Sequence, residues 1–127
     1  MPKIIHELPH APAAVGPYSV ATEANGFVFV SGQIGLDPDL GRIVDGGTPV
    51  ETRRILDNLS LMLGDLDLTF EDVIKTTVFL ADIKDFAVVN EIYGEFFGGF
   101  DPARSTVEVA GLPLGGNVEI EVIAARG

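Results

Sequence analysis

The sequence contains no cysteine, which excludes disulfide bonds, thiolate nucleophiles and cysteine-ligated metals. Basic residues are scarce as well: eight Lys and Arg stand against nineteen Asp and Glu, the formal net charge is −11, and the cations are scattered along the chain. Proteins that bind nucleic-acid backbones need clustered cations, so the composition argues against a nucleic-acid partner. An isolated arginine in so acidic a chain could instead hold a small anion at short range.

Several sequence patterns with known functions are also missing. No apolar run approaches the roughly 20 residues of a membrane-spanning helix, and MPKIIHELPHAPAA lacks the regions of a signal peptide. The chain has neither a GxGxxG nor a phosphate-loop motif, and Ser31 lies in VSGQ rather than in a GxSxG elbow. His6 and His10 fall in an irregular N-terminal segment without metal-ligand spacing. We therefore expect a cytoplasmic protein with no membrane partner, metal or phosphate-binding cofactor.

Apolar residues make up 46% of the chain, which is typical of a globular protein. The length fits a single domain, residues 1–127, that buries roughly two thirds of its unfolded surface. Asn25-Gly26 ahead of FVFVSG predicts a β-hairpin, because Asn-Gly adopts the positive φ angles of a tight turn. Three later strands are predicted by runs of β-branched or alternating apolar residues. They cover 73–80, 106–109 and 118–124, and GLPLGGN joins the last two.

Two segments have the periodicity of amphipathic helices. In TPVETRRILDNLSLMLG, Thr48 is the predicted N-cap, Pro49 the first helical residue, Glu51 the partner in a capping box and Gly64 the stop. DFAVVNEIYGEFFGG is the second helix, with Asp85 as its cap. A strand group followed by a helix, twice over, indicates an α+β domain of two β-β-α-like halves, with the helices on one face of a sheet.

The predicted strands are apolar on both faces. Phe27 and Phe29 alternate with Val28 and Val30, so each set lies on its own side of the sheet. Two helices can cover only one of these faces. The other would be a large exposed apolar surface. We therefore predict a homo-oligomer in which another subunit covers it.

A few polar residues could form a site, although each also has an ordinary structural interpretation. Arg104 could be a surface ion pair or a bidentate clamp for a carboxylate. Glu119 and Glu121 could be solvated, or one of them could act as a general base in an intersubunit cleft. Tyr18 could be a packed aromatic residue, and Asn90 could flank the apolar stripe of its helix. Composition and periodicity indicate only an acidic oligomer with a candidate carboxylate site.

The stretch PARSTVEVAGLPLGGNVEIE resembles the signature of the RidA family, the YjgF-type reactive-intermediate deaminases. APAAVGPYS, VFVSGQIGLDP, ILDNL, DVIKTTVFLADIKDFAVVNEIYGEFF and VEIEVIAAR resemble the family in order and spacing, over nearly the full chain. The resemblance implies a bacterial chorismate-mutase-like α+β subunit with a mixed sheet and two main helices on one face. It also implies a homotrimer whose sheets form a central barrel, with active sites in clefts between subunits.

The activity implied by the resemblance is hydrolysis of imines and enamines such as 2-iminobutanoate, 2-iminopropanoate and 2-aminoacrylate to 2-oxo acids and ammonia. These compounds are products of pyridoxal-phosphate enzymes such as threonine dehydratase. By position, Arg104 matches the group that binds the substrate carboxylate and Glu119 the group that positions water. Tyr18, Ser31 and Asn90 match further pocket positions. An imine carbon is already electrophilic, so the reaction needs a clamped carboxylate, a placed water and a proton route, without metal or cofactor.

Arg104 and Glu119 are predicted to reach one cleft on adjacent strands, with the hairpin setting their separation. Many relatives have Cys where this chain has Thr106; if that position contacts substrate through its backbone, Thr106 preserves the activity. The turn LPLGGN also lacks the Lys or Arg often found near it. Two alternatives stay open: a non-catalytic protein that binds a 2-oxo or amino acid or regulates a partner, and a ribonuclease or translation inhibitor, which the net charge disfavours.

Overall fold

The computed structural model describes residues 2–127, in which one six-stranded mixed sheet packs with two α-helices. The strands are β1 Ile4–His6, β2 Ala21–Ala24, β3 Phe27–Ile34, β4 Val73–Leu80, β5 Ala103–Glu108 and β6 Val118–Ala125, and the helices are α1 Thr48–Asp65 and α2 Phe86–Phe97. The strand order is β1-β2-β3-β6-β4-β5; β4 and β5 pair in parallel and all other neighbours are antiparallel. The predicted α+β class with a mixed sheet is confirmed.

Both helices lie on one face of the sheet, as predicted. Alternate residues of the central strands point to this face and are buried: Val28, Val30, Val78, Leu80, Val118, Ile120 and Val122. They pack with the apolar stripe of α1, formed by Ile55, Leu56, Leu59, Met62 and Leu63. Removal of this apolar surface from water is the main stabilising contribution to the fold.

The opposite face of the sheet, which we call the open face, carries large apolar side chains that the described residues leave partly exposed. Phe27 and Phe29 are 44% and 46% exposed. Both residues lie at the start of β3, directly after the predicted turn. In that turn, Asn25 and Gly26 have φ of 53° and 80°. The hairpin and the two-sided apolar character of the sheet are therefore both present.

The start of α1 differs from the prediction. Thr48 is its first helical residue, the cap position is Gly47, and no side chain caps the helix. The Thr48 hydroxyl donates to the Asp85 carboxylate at 2.6 Å, and the Glu51 carboxylate accepts the backbone N–H of Asn117 at 2.8 Å. The predicted capping box is wrong because both of its side chains have partners in distant parts of the chain.

The C-terminus of α1 and the N-terminus of α2 lie close to the positions predicted from the sequence. α1 continues one residue past the predicted stop at Gly64 and ends at Asp65. Asp85 occupies the predicted cap position before Phe86, although its side chain makes no capping hydrogen bond and accepts the Thr48 hydroxyl instead. This bond links the starts of the two helices.

The topology of the C-terminal half is the main correction to the predicted fold. β5 and β6 are consecutive in the chain but do not pair, because β4 lies between them. The second half therefore runs β4-α2-β5-β6 rather than β-β-α. A strand, a helix and the next strand form a crossover unit, which places β5 parallel to β4. The segment GLPLGGN is then a connection between separated strands and not a hairpin turn.

The two histidines hold the N-terminal segment against the fold. His6 lies in β1 rather than in an irregular segment, and its Nε2 is 2.8 Å from Oε1 of Glu23. The backbone N–H of His10 donates to Asp65. Within residues 2–127, no cluster of three or more His, Asp or Glu side chains could hold a metal ion. In the same range, no helix has the length and apolar character to cross a membrane.

Candidate active site

Arg104 lies on the helix-covered face of the sheet, at the edge strand β5. It is opposite Thr76 of β4, which is fully buried. The guanidinium carbon is 5.5 Å from the centre of the Phe86 ring and 4.8 Å from that of Tyr93, both on α2. Nη2 donates to Oδ1 of Asn90 at 2.6 Å. Aromatic faces and one amide thus hold the cation in place without neutralising it.

The guanidinium opens into a cleft of about 400 Å³, which we call the Arg104 cleft; its walls include Asn90, Tyr93, Pro102 and Asp101. Among residues 2–127, no carboxylate forms an ion pair with Arg104, and Asn90 is its one side-chain acceptor. The planar fork of an arginine matches the two oxygens of a carboxylate. The cleft is therefore suited to bind a small carboxylate.

Tyr93 supports this cleft, a role that we did not predict from the sequence. Its hydroxyl and that of Thr76 form a buried hydrogen bond of 2.6 Å, and its ring stacks on Phe97 with centroids 4.4 Å apart. Burial raises the pKa of Tyr93, although the Thr76 hydrogen bond and the Arg104 charge oppose this. The sequence places Tyr93 in the apolar stripe of α2; its hydroxyl was the available signal, because a buried tyrosine needs a polar partner.

Glu119 lies on the open face of the sheet. Its neighbours in β6, Val118 and Ile120, are fully buried on the helix-covered side, so Glu119 points the other way, opposite Ile34 of β3. Burial raises the pKa of the Glu119 carboxyl, and the negative charge of Glu121 raises it further. A carboxyl with a raised pKa is a stronger proton acceptor than an ordinary glutamate.

The surroundings of Glu119 form an apolar cavity of about 540 Å³, which we call the Glu119 pocket; its walls include Tyr18, Gly32, Leu36 and Leu114. Tyr18 is 52% exposed, and its hydroxyl is 3.4 Å from the backbone N–H of Val15. Leu114 has a left-handed φ of 56°, a strained conformation for leucine. The structure thus brings two of the predicted site residues, Tyr18 and Glu119, to one cavity.

Ser31 and Thr106 line neither cavity. The Ser31 hydroxyl donates to the carbonyl of Ser19 at 2.7 Å, which gives it a structural acceptor. Thr106 lies two residues beyond Arg104 on the same face of β5, opposite Val78. Its Oγ1 is buried and has no hydrogen-bond partner among the described residues.

Arg104 and Glu119 do not meet within one subunit. β4 separates their strands, and the two side chains leave the sheet on opposite faces. The prediction that adjacent strands bring them into one cleft is therefore wrong. The subunit instead has two separate cavities: the Arg104 cleft, with Asn90 and Arg104, on one face, and the Glu119 pocket, with Tyr18 and Glu119, on the other.

Comparison with known proteins agrees with this fold. Residues 8–126 match the family described as endoribonuclease L-PSP. The mouse (Mus musculus) 2-iminobutanoate/2-iminopropanoate deaminase is 50% identical over 117 residues, 92% of this chain and 87% of the mouse protein. The crystal structure of a Rid-family protein from Yersinia pestis has a TM-score of 0.94 and 44% identity, covering 98% of this chain and 100% of that one. E. coli TdcF with bound serine has a TM-score of 0.90 and 39% identity, covering 98% and 99%. This chain therefore belongs to the endoribonuclease L-PSP family, the YjgF/RidA family.

Proposed function

We propose that this protein is a 2-iminobutanoate/2-iminopropanoate deaminase, which hydrolyses 2-imino and 2-enamino acids to 2-oxo acids and ammonia. The observation that carries the proposal is the Arg104 guanidinium, which has no carboxylate partner among residues 2–127. The chain is 50% identical to a mouse enzyme of that name. Every substrate of this class has a carboxylate on the carbon that bears the reacting nitrogen, and an enamine gains its C=N bond by tautomerising to the imine. A bidentate arginine recognises that group whatever the rest of the molecule.

Hydrolysis requires one water molecule and the movement of protons. Arg104 binds the substrate carboxylate, which fixes the imine carbon relative to Glu119. The Glu119 carboxylate accepts a proton from water as the water oxygen bonds to that carbon, the electrons of the C=N double bond move to nitrogen, and Glu119 returns the proton to nitrogen to give a neutral carbinolamine. Glu119 then transfers the hydroxyl proton of the carbinolamine to nitrogen as the C–N bond breaks and the C=O bond forms, and the 2-oxo acid and ammonia leave. The raised pKa of Glu119 suits a group that both accepts and returns a proton.

The remaining predicted site residues have supporting roles in this proposal. Asn90 orients the Arg104 guanidinium through the 2.6 Å hydrogen bond. Thr106 lies next to Arg104 and contacts the substrate through its backbone, so threonine in place of cysteine preserves the activity. Tyr18 closes the Glu119 pocket over the reacting atoms. Ser31 maintains the shape of the β3 segment beneath them.

The complete site lies between subunits of a homotrimer. Each subunit carries the two cavities on opposite faces, so a ring can join the Arg104 cleft of one subunit to the Glu119 pocket of the next. In such a ring the open faces of the three sheets form a central barrel. The exposure of Phe27 and Phe29 on that face supports this arrangement, since a partner would cover them.

The physiological source of the substrates is a pyridoxal-phosphate dehydratase, which releases enamines and imines. Purified protein added to a threonine dehydratase reaction should therefore accelerate the release of 2-oxobutanoate. A coupled reductase that consumes 2-oxobutanoate measures this release. The matched control is Arg104→Ala at the same concentration, which should give no acceleration. If the native protein leaves the release rate unchanged, the deaminase assignment is contradicted.

One observation favours a second function, the binding of amino or 2-oxo acids without catalysis: the related E. coli TdcF structure contains bound serine. A Glu119→Ala variant separates the two. A binding protein keeps both its ligand affinity and its effect, whereas a hydrolase keeps affinity and loses turnover. The family description also names an endoribonuclease, but the net charge of −11 opposes RNA binding. RNA degradation by the native protein that is absent in Arg104→Ala would restore that alternative.

A further inference from the structure

The strand beside Glu119 is interrupted by a β-bulge. Val30 and Gln33 of β3 both pair with β6, but the register shifts between them, so that Ser31 and Gly32 together lie opposite Glu121. A bulge of two residues against one bends its strand locally and redirects the side chains around it. The bulge places Gly32 on the open face, in the wall of the Glu119 pocket.

Three hydrogen bonds hold this bulge in one conformation. The Ser31 hydroxyl donates to the carbonyl of Ser19 at 2.7 Å, and the Ser31 backbone N–H donates to the carbonyl of Val20 at 2.9 Å. The buried side chain of Gln33 donates from Nε2 to the carbonyl of Ser31 at 2.9 Å. The backbone at Gly32 is therefore fixed from both sides and cannot easily withdraw from its neighbours.

The Glu119 carboxylate lies directly against the α-carbon of Gly32. A β-carbon at position 32 would overlap Oε2 of Glu119 and lie 2.8 Å from its Cδ and 3.1 Å from its Cγ. The φ angle of Gly32 is not in the positive range, so its backbone conformation is one that alanine also adopts. The requirement for glycine therefore comes from the position of the Glu119 side chain.

We propose that Gly32 is a positioning residue for the hydrolysis, because its lack of a side chain lets the Glu119 carboxylate lie on the β3 bulge inside the pocket. This inference rests on the proposed role of Glu119. A β-carbon at position 32 meets the flexible end of Glu119, which can rotate away. The cost then falls on the placement of the carboxylate rather than on the fold, and a displacement of about 1 Å can lower a rate about 100-fold.

The test is Gly32→Ala, with Gly111→Ala as a matched control, because a β-carbon at Gly111 meets no atom within 4 Å and its φ is also not positive. In the dehydratase-coupled assay, we expect Gly32→Ala to lower kcat about 100-fold and to leave KM within about threefold, since Arg104 still binds the substrate carboxylate. The melting temperature should stay close to that of the native protein. Gly111→Ala should match the native protein in all three measurements.

Two results would overturn the role of Gly32: a kcat within about threefold of native in Gly32→Ala, or a loss of kcat that only accompanies unfolding. Inactive native protein would instead contradict the deaminase assignment. In that case a crystal structure of Gly32→Ala still decides the question. The carboxylate of Glu119 must have left the bulge, and finding it in its original position would refute the proposal.

Discussion

The Arg104 cleft and the Glu119 pocket lie on opposite faces of one sheet and differ in their effect on a charged side chain. In the cleft, two aromatic rings and Asn90 hold a permanent cation that no carboxylate of the described chain neutralises. In the pocket, apolar walls and Glu121 disfavour the charge of Glu119 and raise its pKa. The first half is suited to binding and the second to proton transfer. Hydrolysis of an imino acid needs both, and we propose that the two come from different subunits.

The largest expected effect comes from removing the proton acceptor of the Glu119 pocket. Glu119→Gln keeps the size of the side chain and eliminates general-base catalysis, so kcat should fall by about 10²–10⁴. KM should change little, because the carboxylate-binding half is intact. The dehydratase-coupled assay measures both parameters. A Glu119→Gln enzyme with native kcat would show that the pocket does not carry the proton chemistry.

Glu119→Gln should also increase the stability of the fold, although it lowers the activity. The folded protein raises the pKa of Glu119, so the fold favours the protonated form, and this stabilisation is lost as pH rises through the folded-state pKa. Above the ordinary glutamate pKa the environment of this carboxyl therefore opposes folding, and at pH 7 Glu119→Gln should melt at a higher temperature than the native protein. Below the ordinary glutamate pKa the difference should vanish. Equal melting temperatures at pH 7 would contradict the raised pKa.

The second largest effect comes from the Arg104 cleft and should fall on substrate binding. Arg104→Ala should lower kcat/KM by on the order of 100-fold, because two charge-assisted hydrogen bonds to the substrate are lost. Arg104→Lys should be nearly as impaired, since an ammonium group cannot form the bidentate fork. Steady-state kinetics over a range of imine concentrations distinguishes the KM effect from kcat. A lysine variant with native kcat/KM would mean that the cleft supplies only charge.

The smallest effect concerns the support of Arg104. Asn90→Ala removes one hydrogen bond to the guanidinium and should lower kcat/KM about three- to tenfold. Asn90→Asp has the same shape but places a carboxylate beside Arg104, where it competes with the substrate for the cation. The aspartate variant should therefore be more impaired than the alanine variant. The reverse order would show that Asn90 acts by some means other than leaving the guanidinium free.

The sequence was sufficient where structure depends on local pattern. The β-branched run predicts a strand over 73–80, and the structure has Val73–Leu80; Asn25-Gly26 predicts a turn that forms with positive φ angles. The capping box failed because Thr48 and Glu51 found partners far along the chain, and a local motif does not report distant competitors. A strand-helix-strand order did contain the signal for the parallel pairing of β4 and β5. The predicted hairpin of β5 and β6 does not form, because β4 lies between these two strands.

The sequence allowed a prediction of the residues of the candidate site but not of their geometry. Arg104 and Glu119 stay predictions from the resemblance, whereas the face that each occupies depends on the strand order and on the bulge in β3. Neither follows from one segment of sequence. A glycine within a strand pattern is itself a signal of a bulge or a close approach, and Gly32 shows both. Tyr93 was missed because its spacing is that of a core residue.

The central claim is that each active site takes Arg104 from one subunit and Glu119 from its neighbour, and mixed oligomers test it directly. Arg104→Ala and Glu119→Gln chains carrying different tags are co-expressed, and oligomers containing both are purified. Every trimeric ring that contains both kinds of chain has one site that joins an intact arginine to an intact glutamate of the neighbouring chain, so about one third of the sites are native whichever chain is in excess. The mixed preparation should therefore recover about one third of the native deaminase rate per site. If activity stays at the level of the two inactive parents, both groups must come from the same chain, and the two-subunit site is contradicted.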